Sequence, residues 1–454
     1  MRSSPPALDL TALRGKLTTA SPARAARAVR ELVRHGGRDA LDLADQFALV
    51  AGLTSDDLLK IWARAADPDG VAEFLLAPAF AREGRTELLL WRRASVTGVR
   101  HLTGLRSLRL AECKKLTDLS DLAALDRLEE LELEDAAALT DLSPLASMKA
   151  LTSLTIKNCR RVTDLSALFG HLPNLRRLDL TGSGVRSVAG LGQGLRSLRH
   201  LDLSACRSLR DISGLSGFPE LVELDLSDVP VESLDGLRDL GSVAELTVYG
   251  SDLKRLDGIE AMPNLRELRL YEATGLTSLD GLGHHPELTG LGLPNAALPD
   301  LRPLSRLPAL PHLTISQRHD LTSLGGLEGH PSISGVHLVG TTRLTDFSAL
   351  GAMPALRKLE FNGLDQLVDL GPLPAMDVLE DLSLAYCERL RSLGDLSKLP
   401  SLRSLWLQRC GALGGLETLR DLPALEKVTV SDCRAIPKET LAHLEERGVL
   451  KLLA

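Results

Sequence analysis

Aromatic side chains are scarce in this chain: three Trp, three Tyr and seven Phe, 3% of 454 residues. That excludes an aromatic core, so the 44% of residues that are hydrophobic must build the interior mainly from leucine, valine and alanine. Long apolar runs are missing too. No stretch reaches the roughly 18 apolar residues of a membrane helix, and the opening MRSSPPALDLTALRGK lacks the apolar core of a secretory signal. Basic excess is also absent, since 53 Lys and Arg face 60 Asp and Glu for a net charge of −7. That balance argues against a nucleic-acid or membrane footprint. Arginine outnumbers lysine and the Ala/Gly/Asp/Leu bias is that of a GC-rich bacterial genome. A soluble, cytoplasmic protein is expected.

Catalytic signatures are missing as well. There is no GxxxxGK[ST] loop, no GxSxG, no HExxH and no CxxC. Residues 1–95 hold one histidine and no cysteine, which leaves no familiar nucleophile–base pair there. His312 and His337 fall on one expected face, but two histidines without a third ligand make a weak metal site. No enzyme activity, metal or cofactor is expected.

What the chain has instead is repetition. The pattern LxxLxL, allowing Ile, Val or Phe, starts at Leu105, Leu128, Leu151, Leu175, Leu198, Leu221, Val243 and Leu265. It continues at Leu288, Leu310, Ile333, Leu356, Leu379, Leu402 and Leu425, fifteen units spaced by 22, 23 or 24 residues. In the first unit Leu105, Leu108 and Leu110 stand at offsets 0, 3 and 5, and the closing two-residue step is that of a β-strand. Cys113, Leu116, Leu119, Leu122 and Leu125 follow at steps of three, which suits 3₁₀ turns or extended chain better than an α-helix. Ser120, Ser143, Ser166, Ser213 and Ser348 recur at the start of the return segment, with Asp235, Asp257 and Asp280 in the equivalent place elsewhere. As N-cap residue types, their side-chain oxygens are expected to accept the free N–H groups of the turn. Pro144, Pro303 and Pro372 fall one position later, where a missing N–H costs nothing.

All six cysteines, Cys113, Cys159, Cys206, Cys387, Cys410 and Cys433, occupy one slot eight residues into a unit. That slot follows the strand, points inward, and takes a small side chain able to bond to the backbone of the turn. Cysteines in alternate coils stand about 10 Å apart, too far for a disulfide. The consecutive trio 387, 410 and 433 points in parallel, without convergence on an ion. Reduced structural thiols are expected.

The pattern LxxLxLxx(C/N)xxLxxLxxL resembles the leucine-rich repeat family, and its 22–23-residue length and LTDLSPL turn (139–145) look most like the short bacterial internalin type. Asparagine is common in the family's cysteine slot; here Cys, Ala, Ser and others replace it. The resemblance implies an α/β solenoid, a superhelix of about fifteen coils with a parallel concave sheet, preceded by a small helical N-terminal domain. It implies protein binding and names no ligand. The array also looks like the sensing half of multidomain bacterial ATPase immune sensors. Their nucleotide-binding domain is missing here, so a separate signalling or ATPase partner is the implied complement.

The ends depart from the repeat. Residues 1–85 read as a helical domain or cap, 86–436 as the solenoid, and 437–454 as a C-terminal capping helix and strand. In the first part Ser21-Pro22 opens a helix closed by Gly36-Gly37, with Arg24, Arg27, Arg30 and Arg34 on one face. Such a basic stripe is of the kind that meets phosphate or an acidic partner, but Asp39, Asp42 and Asp45 line the next helix, and the two stripes are expected to be solvated or to neutralise each other across the Gly-Gly turn.

The candidate ligand-binding residues stand outward between the leucines. Tyr249 and Tyr271 share one position in adjacent coils, with Tyr386 and Trp406 farther on; large amphipathic rings are typical binding anchors, though edge packing would also explain them. Asp179, Asp202 and Asp225 repeat in consecutive coils, about 5 Å apart, with Glu132 and Glu223 nearby. They are either a lure for a basic partner or ordinary solvated strand acids. The reading is a non-enzymatic recognition protein binding a protein ligand on the concave face, as adaptor or sensor. An effector with its activity in residues 1–95, and a constitutive scaffold subunit, are the competing readings.

Overall fold

The structure is a computed structural model describing residues 9–283, 285–293, 298, 300–316, 321–341, 343–414 and 416–453. Residues 1–8 of the expected helical domain and residue 454 of the expected cap lie outside them. The chain forms two compact units, Met1–His200 and Leu201–Ala454. One strand begins two residues into each of the fifteen units, from Ser107–Ala111 to Lys427–Ser431.

The first unit opens with helices. Pro22–His35 ends at Gly36 and Gly37, both in the left-handed region, and Arg38–Ala51 returns beside it. Ala25, Val29, Leu32 and Val33 bury against Leu41, Leu43, Ala44 and Phe47. Thr54 and Asp57 form a reciprocal capping box that starts the helix Ser55–Trp62. A last helical stretch runs from Pro68 through a π-helical turn, Ala72–Leu76, to Glu83. Within the helices the Trp62 indole N–H donates to the Pro68 carbonyl at 2.9 Å, and they dock on the first coil, where the Arg93 guanidinium stacks on the Trp62 ring at 4.3 Å. Arg100 pairs with Asp69 at 2.6 Å.

The charge stripes do not neutralise each other as expected. Asp45 pairs with Arg82 at 3.1 Å and Asp42 accepts from Gln46. Among the described residues Arg24, Arg27, Arg30 and Arg34 have no acidic partner. Asp45 thus faces the last helix, and Asp42 bonds within its own helix.

Beyond the helices, strands Glu87–Trp91, Ser107–Ala111, Glu130–Glu134, Ser153–Lys157 and Arg177–Asp179 pair in chain order, all parallel. In the second unit Glu223–Asp225, Glu245–Thr247, Glu267–Arg269 and Gly290–Gly292 do the same. Seven further strands, His312–Ser316 to Leu450–Leu453, form a parallel sheet in chain order. The C-terminal helix Lys438–Glu446 follows Pro437 and precedes the last of these strands. Several return segments are short 3₁₀ turns, such as Ser120–Ala124 and Ser143–Ser147, as steps of three suit, whereas Leu191–Gly194 and Ser348–Gly351 are single α-helical turns, against the non-α-helical return path expected.

Among the described residues, every position seven residues into a unit is left-handed and follows its strand: Glu112, Asp135, Asn158, Gly182, Ala205, Asp228, Gly250 and Glu272 among them. The turn it makes drives the next side chain back into the core. There all six cysteines are buried and free. Cys159 Sγ donates to the Lys157 carbonyl at 3.4 Å and to Leu133 of the preceding coil at 3.8 Å. Cys410 repeats this with Gln408 and Leu384. Burial pushes the Cys159 thiol up to about 11, so it stays protonated and unreactive.

The turn serines act otherwise than expected. The acceptor is an aspartate two residues earlier, and the serine donates to it. Asp164 accepts the Ser166 N–H and hydroxyl, both at 2.9 Å; Asp118 with Ser120 and Asp141 with Ser143 repeat the pair. Asp211 and Asp346 accept the N–H of Ser213 and Ser348. Asp235 and Asp280 likewise donate their N–H to Ser233 and Ser278. An ionised carboxylate offers more acceptor capacity than a hydroxyl.

Two predictions follow from this backbone. A Cβ on Gly184 would fall 2.0 Å from the Arg160 carbonyl oxygen of the neighbouring coil, so Gly184→Ala should cost about 2 kcal/mol or more by forcing coils apart. Ala205, at φ 56°, should instead gain up to about 1 kcal/mol on change to glycine. Urea unfolding of both variants checks this; a harmless Gly184→Ala would refute the close packing. The second concerns pH. Hydrogen bonds from Ser166 hold the Asp164 carboxyl below its ordinary value. Its contribution is therefore full above the unfolded pKa of about 3.9 and lost as pH falls through the folded one. Asp164→Ala should melt earlier than the parent at neutral pH, with the gap narrowing below about pH 4; a pH-independent gap would count against the bond.

Candidate functional site

Strand alternation decides which side chains are free to meet a partner. In Glu245–Thr247 and Glu267–Arg269 the central leucines are buried and the flanking residues face out. Tyr249 and Tyr271 keep that outward parity two residues farther on and are 46% and 47% exposed. Strand Gly290–Gly292 brings no outward side chain of its own. A Cβ on Gly292 would come within 2.5 Å of Tyr271 Cζ, and one on Gly290 within 2.2 Å of the Glu267 carboxylate. Ring and carboxylate thus lean over the bare strand.

Register sets the charges in rows. Glu223, Glu245 and Glu267 stand opposite one another, beside a second row of Asp225, Thr247 and Arg269. Like charges directly opposite repel; Arg269 offsets part of this, reaching Glu267 at 3.4 Å and Glu245 at 3.5 Å. Glu245, Glu267 and Arg269 were not singled out from the sequence, although each repeats the outward positions of Glu223 and Asp225.

The aspartates chosen from the sequence hold turns. Asp202 accepts the Ser204 N–H and Asp225 the Ser227 N–H, both at 2.8 Å. In the first unit Asp179 accepts the N–H and hydroxyl of Thr181 and pairs with Lys157 at 2.9 Å. Glu132 pairs with Arg109 at 3.3 Å. Less negative charge is left for a partner than the raw count of acids suggests. Burial raises the Asp225 pKa despite the Ser227 bonds that oppose it, and nearby Asp202 adds to the rise.

In the seven-stranded sheet Trp406 is the central outward residue of Ser404–Gln408, 44% exposed between the small side chains of Ser383 and Thr429. Tyr386 sits one residue past strand Asp381–Ala385 at the left-handed position, φ 55°. The Arg409 guanidinium lies 5.4 Å from its ring centre. It therefore belongs to the rim of turns, not to an outward row. His312 faces Gly335, while His337 faces Thr314 and lies 4.0 Å from Glu360. Among the described residues no group of three His, Cys, Asp or Glu could hold a metal. Leu89 and Trp91 of strand Glu87–Trp91, 58% and 55% exposed, are further outward apolar residues. The alternation in TELLLW, with Leu88 and Leu90 inward, could have found them. Arg92 covers Trp91 at 4.0 Å.

A family model described as a leucine-rich repeat region matches residues 92–393. No curated protein matches the chain. Among solved structures, the TLR13–ssRNA13 complex aligns with a TM-score of 0.64 and 22% identity, covering 79% of this chain and 55% of that one; the likeness is one of fold. An internalin from Listeria monocytogenes aligns at 18% identity with a TM-score of 0.48, over 83% of this chain and 94% of that one. A Leptospira interrogans leucine-rich repeat protein gives 16% and 0.45, over 85% and 92%. No helix among the described residues is long and apolar enough to cross a membrane.

Asparagine at position 225 keeps the oxygen that accepts the Ser227 N–H and removes the cost of a buried charge. With the folded pKa raised, that cost is full at high pH and vanishes below the unfolded value. Asp225→Asn should raise the melting temperature at neutral pH by up to about 2 °C, with no gain left in acid. A loss of stability at neutral pH would mean that the ionised carboxylate is needed.

Proposed function

The chain belongs to the leucine-rich repeat family, and from that premise we propose that it is a non-enzymatic recognition protein, an adaptor or sensor. Its protein ligand lies on the outer face of the sheet. The observation that carries this reading is the pair Tyr249 and Tyr271, half exposed in adjacent coils of a chain with only three tyrosines. Half-exposed rings of this kind bury large area at low entropic cost when a partner arrives. Trp406 supplies a further anchor in the later coils, with Tyr386 a contact at the rim of the turns beside it, and the glutamate row at 223, 245 and 267 selects for a ligand with basic groups. That same row opposes a phosphate backbone, which favours protein over nucleic acid. The helical part, residues 1–85, and the cap, 437–454, flank the solenoid of 86–436. Six buried free thiols suit a reducing cytoplasm. A signalling or ATPase protein is the proposed downstream partner.

The test is capture of bound protein from the native host by the tagged chain, beside Tyr249→Ser/Tyr271→Ser and Trp406→Ser variants of unchanged circular dichroism. Removal of ring anchors should weaken a captured partner by about thirtyfold, the scale of a 2 kcal/mol hot spot. Equal capture by parent and variants would remove the binding site from the outer face.

A further inference from the structure

We propose that the helical region carries a second binding site, a cleft that takes an acidic, amphipathic peptide segment of a partner protein. The cleft lies between the helices Pro22–His35 and Ser55–Trp62 and encloses about 350 Å³. Its apolar lining is Ala26, Val33, Leu53 and Ile61. Its charged lining is Arg30, Arg34, Lys60 and Arg64 with a single carboxylate, Asp57. The arrangement follows from helical spacing. Ala26, Arg30 and Arg34 are four residues apart on one helix, Asp57 and Ile61 are four apart on the other, and Arg64 follows in the turn just past its end.

The basic charge has no internal compensation. Asp57 is already engaged by Lys60 at 3.0 Å and by the Thr54 cap. Asp56, the next acid, pairs with Arg85 at 2.6 Å. Among the described residues none of Arg30, Arg34 and Arg64 has an acidic partner, and on the intervening helix Asp45 pairs with Arg82 and Asp42 with Gln46. Three unpaired guanidinium groups around an apolar floor match a segment that brings carboxylates on both sides of one or two aliphatic side chains. The guanidinium fork pairs with carboxylate geometry, and the floor rewards an apolar face that a bare anion lacks. A cleft of this size holds side chains of a docked helix or strand, not a folded domain.

This site does not depend on the tyrosine surface, and the experiment keeps the two apart. The full chain is titrated against a fluorescent helical peptide with leucines four residues apart flanked by glutamates. Polyglutamate of equal charge and phosphatidylserine vesicles are titrated alongside. The parent should bind the amphipathic peptide at least about tenfold tighter than polyglutamate, and binding should weaken as salt rises from about 50 to about 500 mM. Arg30→Glu/Arg34→Glu/Arg64→Glu should abolish it, and Tyr249→Ser/Tyr271→Ser should leave it unchanged. If the triple variant unfolds, Arg64→Glu alone, at an exposed position, should still weaken binding severalfold. Equal affinity for polyglutamate, binding only to vesicles, or loss in the tyrosine variant with retention in the arginine variants would each overturn the proposal.

Discussion

Every coil of this protein depends on its neighbour to cover the leucines at the third and fifth offsets of its strand. Leu108 and Leu110, Leu131 and Leu133, Leu405 and Leu407 are all buried, yet each lies on a strand only three or five residues long. So short a segment cannot bury its own apolar face, and the hydrophobic gain that offsets backbone ordering arrives only on stacking. The strict spacing of the units is a consequence. A shift of one residue in any strand would turn its leucines outward and break the ladder for both neighbours.

The left-handed residue seven positions into the unit is the hinge on which this inward column turns. Glycine would fit it best, yet Glu112, Asp135, Ala205, Tyr386 and Arg409 occupy it with φ between 50° and 56°. Stacking therefore imposes the conformation even where the residue type resists it, and the strain is distributed along the array. The following slot then holds mostly small side chains, with buried Leu364 the large exception among the described residues. A thiol suits it because Sγ reaches two carbonyls at once, as Cys159 and Cys410 do. This is how six cysteines come to share one role without a disulfide or a metal.

The fold was legible in the sequence because burial and period are the same fact: fifteen LxxLxL units yield fifteen strands beginning at the same offset. Polar detail was less legible. Ser166 was expected to cap a turn, but Asp164 does so and Ser166 donates to it; both are turn-forming types, and residue type alone does not say which oxygen wins. The acids of the expected site illustrate the same limit. Asp225 reads as a free surface charge until its partner Ser227 and its burial are known. Conversely, Glu245 and Glu267 gained importance only through a register that sets them opposite Glu223. Tyr271 required the bare strand at Gly290–Gly292, whose meaning depends on what leans across it.

The division of labour between the two faces of each strand explains why such a chain can vary its contacts without losing its fold. Inward positions are committed to the leucine ladder, whereas outward ones such as Trp406 contribute little to stacking and carry nearly all the chemical variety. The scarcity of aromatics then becomes informative: rings spent on a half-exposed outer face are unavailable to a core that leucine already fills. The same reasoning applies to charge. Some arginines along the repeats have a carboxylate within reach, as Arg109, Arg255 and Arg266 do. In the helical region it is the combination of unpaired arginines with an apolar floor that is distinctive. The glutamate row and the arginine cleft make opposite electrostatic demands, so the ligands they select differ in sign and do not compete for one another's surface.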